Sequence, residues 1–183
     1  MTDVLVCYGT TEGQTATVAD RIADVLRGAG HDVDVADLPI DAAPADYDGV
    51  LVGASVHAGK HQRPVTEFVA DHRDELNAMP SGFFSVSLSA ASESPDGREE
   101  AQAVVDDFLD ETGWSPDVAT TVAGALRYSQ YGRIKRLLMR FIAGRHSGDT
   151  DTSRDYEYTD WDDVEAFAHE FERTLVRPGG PSV

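Results

Sequence analysis

Strand-like runs recur five times along this chain: Val4 to Tyr8, Gly49 to Ala54, Phe83 to Leu88 and Val118 to Ala125 are largely apolar, and Asp32 to Leu38 alternates, with Val33 and Val35 on one face. Between and after them come stretches whose apolar residues repeat with helical spacing. These are Val18, Ile22, Val25 and Leu26; Val65, Phe68, Val69 and Leu76; Ala101, Val104, Val105, Phe108 and Leu109; and Trp161, Val164, Phe167, Ala168, Phe171 and Leu175. Strands that are apolar throughout must be covered on both faces, so the alternation calls for an α/β domain around a parallel sheet. Pro39 to Asp48 is a connection close to the lower limit for a crossover, so any helix there must be small.

The first strand stops at Gly9, and a helical pattern follows directly after Thr10-Thr11-Glu12-Gly13-Gln14-Thr15. Such a turn aims the unpaired N–H groups of a helix start, and the positive end of its dipole, at one spot just beyond the strand. The hydroxyls of Thr10, Thr11 and Thr15 add donors, and Gly13 allows close approach to the backbone. A phosphate fits such a place. A Walker loop is excluded because no lysine precedes Lys60, and the dinucleotide G-x-G-x-x-G pattern is absent, so Asp37 reads as a surface acid rather than a ribose ligand. What remains is a terminal monophosphate held by hydroxyls and amides, or an ordinary strand-to-helix turn.

The length of 183 residues suits one domain, expected over 1–176 with an insert at 127–150 and a flexible tail at 177–183, the tail holding two prolines and two glycines. No run approaches the ~18 to 20 apolar residues of a membrane span, and no signal-peptide pattern opens the chain, which sets a cytoplasmic expectation. The single Cys7, within a buried strand, reads as packing. Thirty-three acids against fifteen bases give a net charge of −18, which argues against nucleic-acid binding. Aspartate outnumbers glutamate two to one and lysine occurs only at 60 and 135, a composition expected of a halophilic, salt-accumulating cell.

From Leu126 to Gly148 the composition inverts. Arg127, Arg133, Lys135, Arg136, Arg140 and Arg145 are six of the fifteen bases, and no acid occurs between Asp117 and Asp149. Ile134, Leu137, Leu138, Phe141 and Ile142 repeat with helical spacing, and Arg133, Arg136 and Arg140 form a second stripe. A basic amphipathic helix of this kind can lie on an anionic membrane or hold an apolar, anionic substrate; alternatively it packs on the chain's own acidic body.

The stretch from Val6 to Ile22 resembles the FMN-phosphate signature of the flavodoxins, with Val6, Tyr8, Thr10, Gly13, Thr15, Ala19 and Ile22 in place and Cys7 departing from it. That resemblance implies a flavodoxin-like doubly wound five-stranded parallel sheet of order 2-1-3-4-5, with the basic helical insert after strand 5. Its ligand site lies beyond the carboxyl ends of strands one and three. The resemblance then implies FMN contacts from Thr10 to Thr15, from Ser55, Val56, His57, Ala58 and Gly59, and from Ser89, Ala90 and Ala91. The loops 55–62 and 89–94 contain no Phe, Tyr or Trp, so His57 or His61 would have to stand in for the usual stacking ring, unless both are solvated.

Further pieces narrow the resemblance to one branch: Glu12 to Thr15, Gly53-Ala54-Ser55, Met79-Pro80-Ser81, Phe84-Ser85-Val86, Ala123-Gly124-Ala125-Leu126-Arg127-Tyr128 and Thr159-Asp160-Trp161. Together they resemble the menaquinone-dependent protoporphyrinogen IX dehydrogenases. The resemblance implies FMN-dependent oxidation of protoporphyrinogen IX with electrons passed to a menaquinone-type membrane quinone. It also implies a substrate or membrane role for Arg127, Tyr128, Tyr131, Arg133, Arg136 and Arg140, with peripheral membrane contact through 127–145. No residue is assigned as a catalytic acid or base, and no metal is expected. The alternatives are a flavodoxin-type electron-transfer protein and an NAD(P)H:quinone reductase.

Overall fold

The computed structural model describes residues 1–92, 94–126 and 156–176. Its sheet contains β1 (Asp3–Gly9), β2 (Asp32–Asp37), β3 (Gly49–His57), β4 (Lys60–His61), β5 (Ser81–Ser87) and β6 (Val118–Ala123). The spatial order is β2-β1-β3-β5-β6, all parallel, with the two-residue β4 folded back antiparallel on the end of β3. Counting only the five long strands, this is the expected 2-1-3-4-5. The registers Val6↔Leu51, Gly9↔Ala54 and Ser55↔Val86 bring the carboxyl ends of β1, β3 and β5 level with one another.

The helices are α1 (Gln14–Gly28), α2 (Arg63–Asp71), α3 (Arg73–Ala78), α4 (Pro95–Thr112) and α5 (Trp161–Leu175). Strand alternation splits the core in two. Val4, Val6, Leu51 and Phe84 face α1 and α5, where Ile22, Leu26, Phe167 and Phe171 complete one cluster. Leu5, Cys7, Val52 and Phe83 face the other side, packed with Val65, Phe68, Leu76, Phe108 and Trp114. Both faces of the central strands are thus buried, which is why β1, β3 and β5 read as continuous apolar runs, whereas the edge strand β2 alternates Val33 and Val35 with exposed aspartates. Truncating a fully buried residue such as Phe84 to Ala costs about 3–5 kcal/mol.

Three elements differ from the expectation, while the short crossover holds only the small helix expected there, a 3-10 turn at Pro44–Asp46. The single helix expected through Val65 and Leu76 breaks at His72, whose ring leans on Phe68 at 4.9 Å, and Asp74 and Glu75 start α3 with acids in its first turn. Strand β5 begins at Ser81, earlier than the apolar run, because Ser81 pairs with Val50 of β3, and its buried hydroxyl is satisfied by donating to Leu76 O and accepting from Trp114 Nε1. Strand β6 ends at Ala123, where Gly124 N turns back to Ser87 O, and the chain continues as a two-stranded ribbon, β7 (Ala125–Leu126) against β8 (Tyr156–Glu157). The basic insert beyond Leu126 and the tail after Val176 lie outside the described residues.

Candidate functional site at the carboxyl ends of β1, β3 and β5

A cavity of about 290 Å3 opens where the three strands end, at the lower edge of the range for small-molecule sites. Thr10, Thr11, Glu12, Gln14, Thr15, Ser55, Val56, His57, Ala58, Val86, Ser87, Leu88 and Gly124 line it.

One end is polar and belongs to the turn into α1. Gly13, at φ 86°, takes the left-handed conformation that reverses the chain, and its N–H donates to Thr10 Oγ1 at 2.9 Å. Thr15 follows in the first helical turn and is fully buried, yet its Oγ1 has no hydrogen-bond partner among the described residues. A buried hydroxyl without a partner is costly and needs an explanation. Here it lies in the wall of the cavity, beside N–H groups that the helix start leaves without internal acceptors. An anion placed there would satisfy both. No Lys or Arg lines the cavity among the described residues, so an anion would be held by backbone, hydroxyls and the helix dipole.

Side chains from distant parts of the chain tie this turn down. Gln62 Nε2 donates to Thr11 Oγ1 at 3.0 Å and also to Ser55 Oγ, joining the turn to the end of β3. Gln14 Nε2 donates to Thr159 Oγ1 at 2.9 Å, and Thr159 Oγ1 donates to Ala123 O at 2.8 Å, joining it to the end of β6.

The other end is mainly apolar, made by Val56, Ala58, Val86, Leu88 and the bare backbone of Gly124. The polar loop expected from Ser55 to Gln62 is a hairpin: β3 runs on to His57 and turns back through Ala58, at φ 51°, and Gly59, at φ 77°. Two successive left-handed residues make the primed turn that suits the twist of paired strands. The hairpin separates the two histidines. His57 lines the cavity. His61 points into the core, with Nε2 2.9 Å from Ser85 Oγ and its ring 4.8 Å from that of Phe108 and 5.3 Å from that of Phe83. Burial among these rings disfavours the imidazolium and lowers the His61 pKa to about 4. Burial likewise pushes the Cys7 thiol far above its usual range, leaving it unreactive.

Of the residues expected around a flavin, Gly13 sits just behind the wall as the helix cap, and Gly59 forms the exposed apex of the hairpin. Ser89, Ala90 and Ala91 form a short 3-10 turn held by the bond from Ala90 N to Ser87 Oγ. Ala90 and Ala91 face a separate cavity of about 500 Å3 between β6 and α5. The expectation did not include Val86, Ser87, Leu88 or Gly124. All four fall within expected strands, Phe83 to Leu88 and Val118 to Ala125, whereas the end of β5 is itself wall and the last strand stops at Ala123, leaving Gly124 beyond it. Arg127, Tyr128, Tyr131, Arg133, Arg136 and Arg140 lie outside the described residues.

A family profile described as a flavodoxin domain matches residues 5–153. The Escherichia coli K12 protein named protoporphyrinogen IX dehydrogenase (quinone) is 36% identical over 177 residues, spanning 95% of this chain and 97% of that one. The chain belongs to the flavodoxin family, in its protoporphyrinogen IX dehydrogenase branch. A Leishmania major member of the same name is 37% identical over 170 residues, covering 91% of this chain and 73% of the relative. Among solved structures, oxidised flavodoxin 1 from Bacillus cereus aligns with a TM-score of 0.56 at 18% identity, over 93% of this chain and 97% of its own. A flavodoxin from the domain Archaea aligns at 0.54 and 14% identity, over 96% and 99%. These two likenesses speak for the fold alone. Within this flavodoxin branch, the cavity stands at the reversal of strand order where doubly wound sheets bind ligands.

Proposed function

We propose that this chain holds FMN in the cavity at the ends of β1, β3 and β5, oxidises protoporphyrinogen IX, and passes the electrons to a quinone. The observation that carries the cofactor is the fully buried Thr15 hydroxyl, unpartnered at the start of α1 and set in the wall of that cavity. The substrate and acceptor rest on the named relatives, similar over nearly the whole chain.

In this reading the Thr10, Thr11 and Thr15 hydroxyls and the first amides of α1 bind the phosphate, with Gln62 and Thr159 holding them in place. Val56, Val86 and Leu88 exclude water from the ring end, and His57 and Ala58 border it. Bound FMN supplies reversible acceptance of electrons in pairs. Arg127, Tyr128 and Tyr131 offer the propionates and macrocycle of a porphyrinogen matching charge and aromatic surface, and the arginine stripe at 133, 136 and 140 offers contact with an anionic membrane carrying a menaquinone-type quinone. No described helix is long and apolar enough to cross a membrane.

One observation favours a second reading, a soluble electron carrier: the strongly acidic surface suits docking to basic redox partners. Anaerobic mixing of the FMN-loaded protein with protoporphyrinogen IX, and separately with NADPH, decides between them. Bleaching of the flavin by porphyrinogen, with recovery on adding a menaquinone analogue, is expected. Absence of bleaching together with rapid exchange with protein partners would move the assignment to the carrier. Arg133→Glu/Arg136→Glu/Arg140→Glu should release the protein from anionic vesicles at low salt; a wild type that ignores such vesicles at any salt removes the membrane contact.

A further inference from the structure

We propose that Gly124 is a ring-binding position: it lacks a side chain to leave room for the flavin ring, and not because the fold needs a glycine there. This rests on the reading of the cavity as an FMN site. Other glycines near the cavity answer to the fold. At Gly53 a Cβ would lie 2.1 Å from the Phe84 ring, and at Gly9 it would lie 2.6 Å from Val65 Cγ2. Gly13 and Gly59 hold left-handed turns.

Gly124 shares neither requirement. Its backbone is outside the left-handed region, and among the described residues a Cβ would meet nothing nearer than 3.6 Å, an ordinary contact. The atoms it would meet are Ser87 C and O and Val86 Cγ1, all from residues that line the same cavity. A methyl group is therefore tolerable to the protein and intrudes only on the wall.

That wall cannot withdraw. Gly124 N donates to Ser87 O at 2.9 Å, Tyr158 N donates to Gly124 O at 3.4 Å, and the preceding carbonyl, Ala123 O, accepts from Thr159 Oγ1 at 2.8 Å. A side chain added at 124 would stay where the backbone puts it. Its cavity neighbours Val86 and Leu88 are apolar, whereas the hydroxyls that suit a phosphate gather at the turn into α1. The group that needs the space is thus a flat apolar surface, the ring and not the phosphate.

The test uses apo-protein titrated with FMN and with riboflavin, which carries the ring and ribityl chain without the phosphate, followed by flavin fluorescence. Gly124→Val should weaken both ligands by the same factor, at least tenfold, and Gly124→Ala by a smaller common factor. Thr15→Ala should weaken FMN and leave riboflavin nearly unchanged. The melting temperature of apo Gly124→Ala should match or exceed that of wild type, since the fold does not use the glycine.

Wild-type protein that binds FMN, with Gly124→Val and Gly124→Ala binding equally well, would overturn the assignment. So would loss of FMN with riboflavin binding intact, which would place the phosphate there, or a large fall in the melting temperature of apo Gly124→Ala, which would return the glycine to the fold. A wild type that binds neither flavin would instead remove the cofactor reading itself, a result distinct from the other three.

Discussion

Two segments frame the cavity, and they are held in opposite ways. The turn from Thr10 to Thr15 sinks into the molecule: Gln14 and Thr15 are buried, Gln62 and Thr159 reach in from other elements to fix it, and a donor remains without a partner. The hairpin from His57 to Lys60 stands out in solvent, with a left-handed alanine at its tip, and its anchor is His61, whose ring is turned into the core behind it. Rigidity and an unmet hydrogen bond suit the end of a site that grips a charged group of fixed shape. An exposed tip over an internal anchor suits the end that borders a ring system.

The largest test of that contrast concerns the hairpin's anchor. His61 has a pKa of about 4 in the folded protein against 6.5 ordinarily, so between those values the unfolded chain takes up a proton that the folded chain does not. Stability should be level above about pH 6.5 and fall as pH drops toward about 4, by up to about 3 kcal/mol from this group. Subtracting urea-unfolding free energies of His61→Gln from those of wild type across this range isolates the contribution. A difference that does not vary with pH would mean that His61 is not held neutral in the core.

The next test separates grip from stability in the turn. Thr15→Val should weaken FMN binding by about 2 kcal/mol, roughly thirtyfold, because a hydrogen bond to a charged group is lost. The same change should raise the stability of the apo-protein by about 1 kcal/mol, since it removes a buried hydroxyl that has no partner. Calorimetry and thermal unfolding read the two effects. If both fall together, the hydroxyl is structural.

A smaller effect is expected at Thr159, which accepts from Gln14 and donates to Ala123. Thr159→Val should cost about 1 kcal/mol of stability and loosen FMN binding a few-fold, and Thr159→Ser should restore both. Smallest of all is the hairpin tip. Ala58→Gly removes a left-handed alanine but adds freedom to the unfolded chain, leaving a net gain of about 0.5 kcal/mol in thermal unfolding. A loss there would mean that the alanine side chain packs against something the turn needs.

Much of the architecture was legible in the residues themselves. The alternation of strands and helices, the buried sheet and the turn at Gly13 follow from local periodicity and from one glycine-containing loop, features that report on neighbouring residues, whereas the strand order came only from the resemblance to the flavodoxins. The capping of α5 by Asp160, which accepts from Asp162 N and Asp163 N, was legible for the same reason. The pairing of the site could not be read this way. Nothing in the spacing of Gln62 and Thr11, or of Thr159 and Gln14, says that they touch, because that depends on which strand ends stand side by side. His57 and His61 looked equivalent in sequence. A two-residue turn sent one to the cavity and the other into a nest of Phe83 and Phe108, and only burial distinguishes them. Gly124 is one glycine among sixteen in sequence. Its meaning comes from the space around an absent side chain, which exists only once β5, β6 and the segment before α5 have been brought together.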